Sequence, residues 1–128
     1  MAKPLRILIV DDEPDTLGLI QLTLNTAGYE VEIATGGQQA LDLILSNSYD
    51  VIILDIMMPD ISGFDVLRKI RKDLSAHPPV IFLTAKGGVE DQQIGIDLGA
   101  VSYLLKPITR GNLLDTISKA LSEPTESK

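Results

Sequence analysis

Five times along this chain a short apolar run gives way to a segment whose apolar residues return every three or four positions. The runs are Leu5 to Val10, Val31 to Ala34, Val51 to Leu54, Val80 to Leu83 and Val101 to Leu105, all rich in Val, Ile or Leu. β-Branched side chains suit a pleated strand, and the three- or four-residue spacing marks one face of a helix. After the first run, Pro14 fits a first helical position. Leu17, Ile20, Leu24 and Ala27 then fall on one helical face, and Gly28 reads as the stop. Ala40, Leu41, Ile44 and Leu45 form the second helical face, and Phe64, Leu67 and Ile70 the third, after Gly63. A weaker helix is expected from Glu90 to Leu98, closed by Gly99. The last helix carries Leu113, Leu114, Ile117, Ala120 and Leu121, with Gly111 unsettling its start.

Strands that alternate with helices are connected by crossovers, so they lie parallel in one sheet with helices on both faces. Val51 to Leu54 is apolar at every position, as a strand covered on both sides must be. Val31 to Ala34 has acids beside it and suits an edge. Five such units, joined by right-handed crossovers, predict an α/β fold: a single flavodoxin-like (βα)5 doubly wound domain with a parallel five-stranded sheet in the order 2-1-3-4-5. The expected domain covers residues 1–121, with 122–128 a polar tail or the start of a linker. An end so soon after the last helix suits a stand-alone domain or one cut from a larger protein.

The sheet edge is where chemistry is expected. All strand C-termini of a parallel sheet share one edge, and ligands bind where the strand order reverses. The first polar residues there are Asp11 and Asp12 after strand 1, Asp55 after strand 3, Thr84 after strand 4 and Lys106 after strand 5. Three converging carboxylates repel one another, more so when desolvated. A hard dication relieves this, and oxygen-only ligands suit Mg²⁺. A metal beside a carboxylate, an ammonium and a hydroxyl can receive a phosphoryl group, with the carboxylate as nucleophile. Composition narrows the field further. A net charge of −7 argues against nucleic-acid binding by this domain. No apolar run approaches the roughly 20 residues that span a bilayer, and MAKPLRILIV does not read as a signal peptide. With no cysteine, disulfides and thiolate chemistry are excluded, and a cytoplasmic location is expected.

Four segments, VDDEP (10–14), LDIMMPDISG (54–63), FLTA (82–85) and YLLKP (103–107), together resemble the response-regulator receiver domain of two-component signalling, including its single-domain chemotaxis type. The resemblance covers about residues 5 to 121. It implies that Asp55 accepts a phosphoryl group from the phosphohistidine of a sensor histidine kinase or phosphotransfer protein. It implies a Mg²⁺ cofactor bound directly by Asp12 and mainly through water by Asp11, with Asp55 and the backbone carbonyl of Met57 also in the metal site. Thr84 and Lys106 would contact phosphoryl oxygens, and Lys106–Pro107 would be cis. Ala85 would leave access to Asp55. Tyr103 would act with Thr84 as a switch, altering a face made by the fourth helix, the fifth strand and the fifth helix. The implied product is a signalling state read by a downstream protein or a covalently linked effector. Self-catalysed phosphorylation and hydrolysis would be the only reactions, so the domain would not be a turnover enzyme.

Rival readings stand beside this one. The chain could be a receiver-like interaction module that takes no phosphate. It could be an aspartyl-phosphate phosphohydrolase, although such enzymes want a second acid two residues after the nucleophile, where this chain has Met57. A flavoprotein of the same fold would need a phosphate-cradling loop where Asp11-Asp12-Glu13-Pro14 stands. Singly, Asp11 and Asp12 could cap a helix, Thr84 could be an ordinary strand end and Lys106 a surface lysine. Tyr103 could be a half-buried strand aromatic. Met57 and Met58 read as packing and loop residues, since thioethers prefer soft metals. His77 reads as an exposed loop histidine. Gly87-Gly88 suggests a mobile loop before the fourth helix, and Lys86 a residue that tunes water access.

Overall fold

The computed structural model describes residues 4–85 and 89–122. Ten elements alternate strictly: β1 (Arg6–Val10), α1 (Pro14–Thr26), β2 (Glu30–Ala34), α2 (Gly37–Ser46), β3 (Val51–Asp55), α3 (Gly63–Asp73), β4 (Val80–Thr84), α4 (Val89–Leu98), β5 (Ser102–Leu105) and α5 (Arg110–Ser122). The strands form one parallel sheet in the order β2-β1-β3-β4-β5. This is the flavodoxin-like (βα)5 arrangement that the alternation predicts. Lys86, Gly87 and Gly88, and the tail from residue 123, lie outside the described residues.

The period-2 alternation of each strand divides the core into two layers. Leu8, Val10, Ile52, Leu54, Val80 and Phe82 face Ala40, Leu41 and Ile44 of α2 and Val66, Leu67 and Ile70 of α3. Ile7, Ile9, Val51, Ile53, Ile81 and Leu83 face Leu17, Ile20 and Leu24 of α1 and Leu113, Ile117 and Ala120 of α5. All of β3 and β4 is buried, while β2 is largely half-exposed at its edge. Phe82, wholly buried, meets Phe64 edge to face at 5.2 Å between ring centres. Burying an aromatic ring of this size stabilises by roughly 1.5–3 kcal/mol.

Element ends depart from the sequence pattern by a residue or so. Leu5 and Val101 are exposed and precede their strands, whereas Asp55 and Thr84 are the last residues of theirs. Ala27 caps α1 and faces solvent, so the buried stripe of that helix ends at Leu24. Gly28 and Gly99 adopt φ of +99° and +102°, left-handed values that let the chain leave α1 and α4 at little steric cost. Gly111 sits in the first turn of α5, where Thr109 Oγ1 accepts from Asn112 N at 3.2 Å, so the helix starts despite it. His77 is half-buried rather than exposed, with Nδ1 2.7 Å from the Pro78 carbonyl. It lies beside Tyr49 and Leu74, at the sheet edge where the strands begin. Among the described residues no helix is long and apolar enough to cross a membrane.

Candidate metal centre

The C-terminal sheet edge gathers the acids from β1 and β3. Asp11 is held at the end of β1 by its own amide, which donates to Ala34 O at 3.1 Å. Its Oδ1 accepts from Glu13 N at 2.9 Å, a local turn that aims the carboxyl inward. Asp12 is exposed, while Asp11 and Asp55 have relative exposures of 0% and 5%. One carboxylate oxygen from each of Asp11, Asp12 and Asp55 lies within 4.8 Å of the other two. Asp55 Oδ1 accepts from Met57 N at 3.1 Å. Met57 itself is exposed, whereas Met58 packs on the core.

Lys106 closes the cluster from β5. Its backbone N donates to Thr84 O at 2.8 Å, which seats it beside the end of β4. The Lys106–Pro107 bond is cis. Lys106 Nζ lies 2.5 Å from Glu13 Oε1, 3.1 Å from Asp11 Oδ2 and 3.5 Å from Asp55 Oδ2. Thr84 is buried one residue past Leu83, the β4 partner of Asp55. The sequence-derived set of Asp11, Asp12, Asp55, Thr84 and Lys106 therefore converges on one end of the sheet.

The electrostatics are those of a site with too much negative charge for its burial. Burial first, then the Asp11 charge beside it, pushes the Asp55 carboxyl up from 3.8 to about 7, against the pull of the Met57 amide and Lys106. Burial works against the Lys106 charge, but the hydrogen bond to Glu13, the close approach of Asp11 and the charge of Asp55 outweigh it and hold the ammonium above its ordinary value. Glu13 is lowered by its hydrogen bond to Lys106 and by that charge. Asp11 Oδ2 is buried and makes no hydrogen bond, although Lys106 Nζ is near in distance. An unsatisfied buried carboxylate oxygen is costly. A hard dication among Asp11, Asp12 and Asp55 would satisfy it with the all-oxygen donors such an ion prefers, so the residues fit Mg²⁺.

Tyr103 is turned toward α4. Its hydroxyl lies 2.5 and 2.7 Å from the carbonyl oxygens of Asp91 and Gln92, which share its one proton, and its ring packs on Phe82 at 6.0 Å. Gly95 makes room for it: a Cβ there would come within 2.0 Å of the Tyr103 hydroxyl. Gly63 is as constrained, since a Cβ there would lie 2.3 Å from the Asp55 carbonyl oxygen. Sequence reasoning gave no role to Glu13, Asp60 or Gly95 and read Gly63 only as a helix start. Glu13 and Asp60 sit within the two acidic segments that carry the resemblance, which is the one signal that pointed at them.

The comparisons agree with this geometry. The family model of the response regulator receiver domain matches residues 7–118, so the chain belongs to that family, the receiver domains of two-component response regulators. The transcriptional regulatory protein TrcR of Mycobacterium tuberculosis is 39% identical over 111 residues, covering 87% of this chain and 43% of TrcR. The response regulator ArlR of Staphylococcus haemolyticus is 41% identical over 115 residues, 90% of this chain and 52% of ArlR. The chain thus spans about half the length of these curated relatives. Among solved structures, the chemotaxis protein CheY4 of Vibrio cholerae superposes with a TM-score of 0.87 at 35% identity, covering 93% of this chain and all of that one (100%).

Proposed function

We propose that this domain takes a phosphoryl group onto Asp55 from a phosphohistidine on a sensor histidine kinase or phosphotransfer protein, and so switches a partner-binding face. The observation that carries this reading is the buried Asp55 carboxylate with Lys106 Nζ at 3.5 Å and the oxygens of Asp11 and Asp12 within 4.8 Å. In the transfer, a carboxylate oxygen of Asp55 forms a bond to phosphorus as the phosphorus–nitrogen bond of the donor breaks, and the freed imidazole keeps the electron pair and gains a proton. Asp11, Asp12, Asp55 and the Met57 carbonyl would hold Mg²⁺, which would supply positive charge at the site of transfer. Lys106 stands ready with a second cation that its acidic neighbours keep protonated. Thr84, buried at the end of β4, would contact a phosphoryl oxygen. Hydrolysis of the same acyl phosphate returns the domain to rest, so it acts as a switch and not a turnover enzyme.

The signal is read on the face of α4, β5 and α5. Ile96, Val101 and Leu105 are exposed there, and Tyr103 reaches from β5 to α4 through its hydroxyl. Phosphorylation that draws on Thr84 and Tyr103 shifts a two-state equilibrium of this face. The reader is a separate protein or a linked effector, in keeping with relatives about twice as long. The acidic domain itself takes no part in nucleic-acid or membrane binding, and the cysteine-free chain suits the cytoplasm.

The test is incubation with Mg²⁺ and acetyl phosphate, read by intact mass. The expected result is one acid-labile phosphoryl group on the wild-type chain and none on Asp55→Asn. No gain at any donor concentration refutes the reading in favour of an interaction module that takes no phosphate. Continuous phosphate release from simple monoesters refutes it in favour of a phosphohydrolase.

A further inference from the structure

The loop from β3 to α3, residues 56–62, carries Met57 past the acidic cluster and is fixed at three points. Met57 N donates to Asp55 Oδ1 at 3.1 Å. At the far end, Gly63 N donates to Ile56 O at 2.7 Å, and the tight seat of Gly63 on Asp55 admits only hydrogen as a side chain. The third fixing leaves this βα unit altogether. Asp60 Oδ1 accepts from Gly37 N and Asp60 Oδ2 from Gln38 N, both at 3.0 Å, so one carboxylate holds the first turn of α2 with both oxygens. The residues opposite are shaped for it. A Cβ on Gly36 would press on the Asp60 carboxylate at 3.1 Å, and one on Gly37 would overlap Ile61 Cβ at 2.8 Å and its carbonyl at 2.9 Å. The amides of Gln38 and Gly37, with that of Ile61, hold the Asp60 carboxyl down to about 2, so it stays charged at any physiological pH. A charge-assisted bond to a helix N-terminus is among the stronger surface contacts.

We propose that Asp60 is a positioning residue for phosphoryl transfer: by clamping the β3–α3 loop to the N-terminus of α2, it holds the backbone at Met57 where the bound dication requires it. The inference rests on the phosphoacceptor reading above. Its physical basis is the geometry of Mg²⁺, which tolerates little departure from octahedral coordination, so freedom in a loop that bears a ligand costs affinity. Gly63 and the Met57 amide restrain the loop next to Asp55, and Met58 and Ile61 pack on the core; the Asp60 carboxylate adds the polar tie to α2 that fixes the backbone between them. Asp60 touches neither Asp55 nor the ion, so its effect passes through the backbone.

The test separates positioning from mere stability. Gln39 supplies the control, because its Oε1 accepts from Thr35 N at 2.9 Å and Thr35 Oγ1 at 3.2 Å at the same end of α2, bonds that run to the β2–α2 turn and not to the loop. Asp60→Ala and Gln39→Ala are compared with the full wild-type chain in thermal melts, in Mg²⁺ titrations followed by ¹⁵N–¹H NMR, and in phosphorylation by acetyl phosphate. Both variants lower Tm. Only Asp60→Ala weakens Mg²⁺ binding, by about ten-fold, the scale of lost contacts behind a metal ligand. Its phosphorylation is slow at limiting Mg²⁺ and recovers as Mg²⁺ is raised. Asp60→Asn, which keeps one acceptor oxygen, falls between and serves if the alanine variant does not fold. Wild-type Mg²⁺ affinity in Asp60→Ala and Asp60→Asn, or an equal loss in Gln39→Ala, overturns the inference while leaving the phosphoacceptor reading intact. A wild-type chain that neither binds Mg²⁺ nor takes phosphate refutes both.

Discussion

Replacing Asp55 with asparagine removes one buried ionisable group while keeping its shape, and the metal-free protein is expected to become more stable. Asp55 is faced by Asp11 and Asp12 across the loop after β1, by Lys106 from β5 and by the Met57 amide from its own loop. Its carboxyl is raised from 3.8 to about 7, by burial first and then by Asp11. At about 1.4 kcal/mol per pH unit the shift has an upper bound of roughly 4–5 kcal/mol. Solvent reaching the site and the neighbouring Lys106 screen it, so about 2 kcal/mol is the working figure. The sign follows from proton counting. Between about pH 4 and pH 7 the folded state binds more protons than the unfolded state, so this group's contribution to stability falls as pH rises through that window. Below pH 4 the carboxyl is protonated in both states and costs nothing; above pH 7 the penalty is complete. Asparagine cannot ionise and escapes it. Its Oδ1 keeps the Met57 bond, and Lys106, losing Asp55, retains Glu13 and Asp11. In EDTA at pH 8, melts followed by far-UV circular dichroism should place Asp55→Asn roughly 6–10 °C above wild type, at ~3–5 °C per kcal/mol for a domain of this size. At pH 4 the two should coincide. Added Mg²⁺ should close the gap at pH 8 by stabilising the wild type more. A variant that melts at or below wild type at pH 8, or that gains equally at both pH values, refutes the reasoning.

Two glycine substitutions test the packing around the site. Gly63→Ala drives a methyl group against the Asp55 carbonyl, and the backbone must shift to admit it. Urea unfolding should show a loss of about 2 kcal/mol or more, with phosphorylation by acetyl phosphate impaired although every polar side chain remains; wild-type behaviour in both assays would count against the tight seat described. Gly95→Ala puts a methyl group where the Tyr103 hydroxyl sits, so the ring must leave α4 and surrender its bonds to Asp91 and Gln92. A cost of about 1–3 kcal/mol and a changed tyrosine near-ultraviolet signal are expected, the second absent in Gly95→Ala combined with Tyr103→Phe.

How far the sequence could be read follows from the range of each interaction. Strand and helix periods are local, and the continuous apolar runs of β3 and β4 announce burial on both faces. A parallel sheet then brings the ends of separate strands together whatever the loops do, which is why the sequence alone gathers Asp11, Asp12, Asp55, Thr84 and Lys106. Leu5, Ala27 and Val101 show the limit: these apolar residues continue a buried period in the sequence and yet face solvent at the element ends. His77 shows it again, half-buried only because the loop before β4 folds back beside Tyr49 and Leu74.

By itself the sequence determined the element order, the doubly wound sheet and the acids and lysine at its edge, because period, strand length and parallel connection are properties of the chain. Tertiary packing decided the partners. Glu13 meets Lys106 across 93 residues of chain and Asp60 meets Gly37 across 23, while Gly95 is hollowed to admit a tyrosine from the next strand. No local pattern encodes such pairs, since each depends on how far two elements advance past one another once the core has closed.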